Sequence, residues 1–296
     1  MAGFSSQDNM INALTVDGKG YRADWQKSTF ATTAHTAGLW YSLFRGGGNP
    51  PADTILGTGT NLAFQALTDT TANATGIPHG GDVGGYKVLL NAAAQTAAAT
   101  TAPCVLMLVD LLGFYNITSV TTTGAQTLNN TVTLPRYTTG AGVQAFLTPS
   151  TVMGAATPNL SIGYTNSAGT AGRATPATLP IGNTAAAVTS IVYSGTGNGK
   201  FGPFMPLQAG DAGIRSVQSV TLSASYVSGV LNLVLCKPLM TLPITTLGVT
   251  AERDLVNQFA SMPKIYDGAC LAWLMLAGAA TPVASPLSGH LEFGWT

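Results

Sequence analysis

Charge is scarce in this sequence. Lys and Arg number 12 and Asp and Glu 12, so charged residues make up 8% of the 296 and the formal net charge is zero. A soluble domain ordinarily carries roughly a quarter. A nucleic-acid reader needs a basic face to meet phosphate. None is supplied, because Lys19, Arg22 and Lys27 are interleaved with Asp17 and Asp24, and no sequence-specific nucleic-acid partner is expected. Cysteine is as rare. Cys104, Cys236 and Cys270 all sit in apolar runs, in odd number and without CxxC spacing, and read as buried small hydrophobes rather than disulfides or zinc ligands. The longest apolar run, residues 269–280, falls short of the roughly 20 residues a bilayer-spanning helix takes. The opening MAGFSSQD has neither the basic start nor the apolar core of a signal peptide. No membrane partner is expected, and an outer-membrane barrel, which requires export, is set aside.

Reactive constellations are missing too. There is no GxSxG elbow and no carboxylate pair that stands out. Residues 197–202 match GxGxxG, but Pro203 and Pro206 follow where a dinucleotide site needs a helix N-terminus, and Phe201 stands where a P-loop needs Ser or Thr. Of the three histidines, His35, His79 and His290, His79 with Asp82 could hold a metal ion or act as an oriented base. Two ligands on a glycine turn are too few. No enzyme, no cofactor and no metal site is expected.

What the sequence does contain is apolar and neutral polar material. The hydrophobic fraction is 46%, so the surface must be built from Ser, Thr, Asn, Gln and Gly, with little repulsion between copies. The centre of the pattern is 211–242. Val220, Leu222, Ala224 and Tyr226 alternate with Ser219, Thr221, Ser223 and Ser225, the period of a half-buried strand. Val227-Ser228-Gly229 supplies a turn, and 230–236 returns as an apolar run ended by Pro238. This predicts a long β-hairpin with Val220, Leu222, Leu233 and Leu235 in the core.

Around it the chain reads as short strands between Gly- and Pro-rich turns. Residues 39–44 form a strand; 86–99 and 105–112 form a second hairpin; islands follow at 126–134, 142–147, 160–164 and 188–193. Between 116 and 200 the only charges are Arg136 and Arg173. Residues 250–259 predict a helix, with Thr250 as N-cap and Leu255, Val256 and Phe259 as its buried stripe; strands at 264–276 and 291–295 close the chain. The first 35 residues stand apart. Ser6 and Asp8 cap a short helix carrying Met10, Ile11 and Leu14, and Phe4 before it with Tyr21 and Trp25 beyond it mark an assembly arm that docks on a neighbour. The expectation is a mainly β chain, an antiparallel β-sandwich or jelly roll over 36–296, with an N-terminal arm (1–35), one short C-terminal helix and an inserted β subdomain at 114–200. Trp40-Tyr41 near Asp53 is the one candidate sugar platform, and core packing accounts for it better.

Three stretches carry a resemblance: PLQAGDAGIRSVQSVTLSAS at 206–225, YTNSAGTAGR at 164–173, and AERDL at 251–255 followed by PKIYDGACLAW at 263–273. Together, at about a fifth of the chain, they resemble head-associated structural proteins of tailed bacteriophages. The resemblance implies a virion component made in the host cytoplasm and assembled into the head. Its partners would be copies of itself, as a trimer, and other capsid proteins. With no long charged spine helix, the chain departs from the usual shell protein and points to a decoration or cement protein. The shell protein itself and a carbohydrate-binding jelly roll on the virion surface are the alternatives.

Overall fold

The structure, a computed structural model, describes residues 3–28, 34–154, 156, 158–176, 191, 202–258, 262–280 and 284–296. The chain opens with α1 (Gln7–Thr15), where the Ser6 hydroxyl caps the Asn9 N–H at 3.0 Å and Asp8 sits in the positively polarised first turn. Strands follow almost without interruption: β1 (Gly20–Ser28), β2 (Trp40–Ser42), β3 (Gly48–Asn49), β4 (Phe64–Ala66), β5 (Lys87–Thr96), β6 (Cys104–Ile117), β7 (Gly124–Thr127) and β8 (Gln144–Thr151). The second half adds β9 (Leu160–Asn166), β10 (Arg173–Ala174), β11 (Ile214–Leu222), β12 (Val230–Ile244), β13 (Ala251–Asp254), β14 (Lys264–Ile265), β15 (Leu271–Ala277) and β16 (Pro286–Trp295).

The protein is mainly β, and its strands pair antiparallel in three sheets. The first runs β13-β5-β16-β1-β3, with β14 also on β5. The second runs β2-β15-β6-β12-β8, with β4 also on β6. The third is β10-β9-β11-β7. The second sheet is the spine. The far halves of β6 and β12 face the third sheet in one core, where Tyr115, Ile117, Leu231, Leu233 and Leu235 meet Tyr164, Val220 and Leu222. The near halves face the first sheet in another, where Leu106, Leu108, Met240 and Leu242 meet Trp25, Leu89 and Leu291. A third cluster, with Phe114, Val234 and Leu274, fills the opposite face under the 43–75 loops.

Two bulges let one strand serve both cores. Inward residues of β12 are odd-numbered at 231, 233 and 235 and even-numbered at 240, 242 and 244. Strict alternation would send the second set to the wrong face. The register shifts between Pro238 and Met240, leaving Leu239 unpaired, and β6 shifts likewise at Leu112. Pro238 therefore does not end β12. Pairing with β8 stops at Cys236, so beyond it β12 has a partner on one side only and a missing N–H is tolerated.

Other expectations are corrected. β11 and β12 are not a hairpin: β11 pairs with β9 and β7, β12 with β6 and β8, and the two meet only through side chains across the core. The link between them is held elsewhere, by Ser223 N–H on Asn159 O and Tyr226 N–H on Val120 O. A Cβ at Gly229, whose φ is +112°, would lie 2.9 Å from Met153 Cα. β5 and β6 likewise lie in different sheets. The predicted helix at 250–259 is β13, with Ala251 to Asp254 paired to Ala94 to Asn91 on the open edge of β5. The Asp254 carboxylate accepts the Asn257 N–H at 2.8 Å, closing a turn instead of opening a helix, and Val256 is exposed. Phe259, most of the island at 188–193 and nearly all of the 197–202 glycine motif lie outside the described residues.

The N-terminal segment is no free arm. β1 lies between β16 and β3, pairing with β16 from Gly20–Gly294 to Ser28–Pro286. Trp25 is 2% exposed, with its ring centroid 5.3 Å from that of Trp273. Phe4 is half-buried in a hollow with Met10, Tyr86 and Leu255, and Tyr21 is 37% exposed. The composition break that suggested an arm reflects a strand whose alternate residues face solvent.

Candidate functional site

The apolar spine is interrupted at its middle. Asp110 on β6 stands between Leu108 of one core and Leu112 of the other, and its register partner Lys237 stands between Leu235 and Met240. A carboxylate so placed must be paired. Arg136, from the loop before β8, donates Nε at 2.8 Å and Nη2 at 2.6 Å to its two oxygens, and the Cys270 N–H donates at 3.0 Å. The guanidinium also reaches the carbonyls of Leu67 at 3.1 Å and Leu111 at 2.9 Å. Burial pushes the Asp110 carboxyl upward, and the Arg136 contacts oppose it.

Beside this pair lies His79, 1% exposed. Its Nδ1 is 2.8 Å from Lys87 Nζ. An ammonium can only donate, so Nδ1 accepts and the ring proton belongs on Nε2, which lies 3.2 Å from Asp69 Oδ2. Burial, and then Lys87, hold the imidazole below its ordinary 6.5. Lys87, also buried, donates to the Gly81 carbonyl and lies 3.6 Å from Asp267 Oδ1. The Asp267 oxygens take the N–H groups of Val83 at 3.1 Å and Gly84 at 2.8 Å, while Asp82 accepts from Gly268 N–H at 2.7 Å. Thus Asp69, not Asp82, faces the His79 ring. The network ties the loops 67–85, 128–143 and 263–270 together at the junction of the cores. Its imidazole is neutral and closed in, the geometry of a clamp.

A second clamp joins two of the stretches singled out above. Asp211 takes Tyr164 Oη at 2.5 Å, Asn166 Nδ2 at 2.7 Å and Arg173 Nε at 3.0 Å. Arg173, followed by Tyr164, holds its carboxyl down to about 2. A third surrounds Lys27, whose Nζ donates to Pro51 O at 3.1 Å and Gly46 O at 3.3 Å. Burial lowers this amine to about 8.

Val220, Leu222, Leu233 and Leu235 are all buried. Trp40 and Tyr41 are buried too, so they offer no sugar platform. The three cysteines are free and buried, with Cys104 pushed up to about 12 by burial. Among the described residues no group of three His, Cys, Asp or Glu is placed to share a metal ion, and no helix is long and apolar enough to cross a membrane. No family model, curated protein or solved structure matches the chain.

Proposed function

We propose that the chain is a non-enzymatic structural protein of a tailed-phage head, a decoration or cement protein of the jelly-roll-like kind that bridges shell subunits. One observation carries this reading: several of the few ionisable groups are buried and hold loops together. Asp110, Arg136, His79, Lys87 and Asp211 are spent on clamps, and all but Asp211 belong to one network. What remains outside is a largely neutral polar surface, suited to lasting contact with copies and partners rather than to free diffusion. The stretches that resemble head proteins contribute to these clamps: Tyr164, Asn166, Arg173 and Asp211 to one, Asp267 and the Cys270 N–H to the other.

The test is the particle. Purified heads should contain this chain at a copy number that is a simple fraction of the shell subunit, on the outer surface of a cryo-EM map. A copy number equal to that of the shell lattice would favour the shell protein itself, and absence from heads would end the proposal.

A further inference from the structure

A groove borders the central clamp on its open side. It has a volume of about 670 Å³, with Tyr137, Thr138 and Thr139 on one wall and Lys264 and Tyr266 on the other. Aromatic rings and cations alternate along it and at its borders, where Tyr86 and Lys237 lie. Lys264 Nζ lies 5.3 Å from the Tyr86 ring centroid and 4.5 Å from that of Tyr266; Tyr266 meets Tyr137 edge-on at 4.8 Å; and Lys237 Nζ lies 5.6 Å from the Tyr137 ring. Tyr266 is 38% exposed. Tyr137 is held at φ +49°, a conformation rare for a side chain of its size.

Part of the positive charge around the groove has no carboxylate partner: Arg136 is paired with Asp110, while Lys237 Nζ donates to the Ala141 carbonyl at 3.1 Å. Among the described residues, Lys27, Arg215, Lys237, Arg253 and Lys264 have no side-chain carboxylate at ion-pair distance. Lys27 is buried and Arg253 lies on β13. The other three gather here, Arg215 on a smaller hollow of about 240 Å³ that shares Thr138 with the groove. The carboxylate in the groove lining, Asp267, is engaged by Lys87 and two backbone N–H groups.

We propose that this groove binds an acidic saccharide, a chain of pyranose rings bearing carboxylates. Tyr266 and Tyr137 would pack on the C–H faces of a ring, the exposed hydroxyls of Thr138 and Thr139 would bond its hydroxyls, and Lys264 and Lys237 would hold its carboxylates. A nucleic-acid strand fits less well: the tyrosines meet edge-on instead of forming parallel platforms, and three cations are far from a basic field. The site is separate from Trp40 and Tyr41, and the inference does not depend on the role in a phage head.

Affinity electrophoresis of the whole protein in gels containing alginate, dextran or oligothymidylate tests it. Alginate should retard the protein and dextran should not, and the retardation should weaken with salt. Lys264→Gln with Lys237→Gln, and separately Tyr266→Ala, should each raise the apparent Kd roughly tenfold or more without moving the thermal melt. Equal retardation by alginate and oligothymidylate that survives Tyr266→Ala would overturn the saccharide assignment, leaving a simple anion patch. No retardation by alginate at low salt would overturn the site.

Discussion

Removing Arg136 would leave the Asp110 carboxylate inside the spine without its cation, held by the Cys270 N–H. Arg136→Met is therefore expected to cost about 3–5 kcal/mol, the usual penalty for breaking a buried pair from one side. Adding Asp110→Asn should recover part of that loss. Urea denaturation of the three proteins measures it, and a single substitution costing under about 1 kcal/mol would mean that water reaches the pair. The buried histidines make a second prediction. Burial lowers His35 from 6.5 to about 4, and burial with Lys87 lowers His79. Below 6.5 the unfolded chain binds protons that the folded chain refuses. Stability from these groups is thus complete above 6.5 and falls as the pH drops below it, for His35 down to about 4 at up to about 1.4 kcal/mol per pH unit, and in the same direction for His79. Asp53 and Asp110, pushed up by burial, act in the opposite sense. The decisive quantity is the difference in slope: His79→Gln and His35→Phe should each flatten the pH dependence relative to wild type, and an unchanged slope would show those rings are protonated in the fold. Part of this was legible in the sequence. An Asp inside the apolar run Val105 to Leu112 has to find a cation, and Arg136 is one of only two charges between 116 and 200. Nothing local links His79 to Asp69 or Lys87, because loops that meet only in the fold bring them together.

Strand period was easier to read than strand partner. Alternation along 219–222 fixes which residues face a core; it lapses beyond the strand end, where Ala224 is exposed, and it says nothing about which strand lies alongside, so a face-to-face pair reads as a hairpin. The 250–259 segment shows the complementary limit. Helix propensity is worth fractions of a kcal/mol per residue, and the open edge of β5 offered a ladder instead. Within β12, Leu233→Ala should cost about 2–5 kcal/mol as a fully buried leucine. Deleting Leu239 should be worse. It removes the residue that resets the register, turning Met240, Leu242 and Ile244 to the other face, and the protein should fail to fold. A deletion mutant that melts cooperatively near the wild-type temperature would show that the bulge can migrate. β1 carries a similar test. Trp25→Ala should cost about 3–5 kcal/mol, where a docking arm would have left the melt of the isolated protein unchanged.

At the scale of the molecule, a surface so poor in charge should associate. A defined oligomer, expected to be a trimer, should appear by sedimentation at micromolar concentration and persist in high salt, since few ion pairs are available to hold it. A stable monomer at high micromolar concentration would remove the support that association gives to the proposed role. β1 and β16 are neighbours in space, yet Arg22 and Glu292, which pair across them, are 270 residues apart in the chain. Contacts of such sequence separation form slowly. A ribosome releases Arg22 of β1 270 residues before Glu292 of its main partner, so Trp25 must wait for the strand beside it. Until then its one ladder partner among the described residues is the two-residue β3, helped by the Lys27 bonds to Gly46 and Pro51. A nonsense codon just before β16 would therefore not trim an edge; it would open the sheet at its centre and leave β1 and β5 as raw edges for any passing chain.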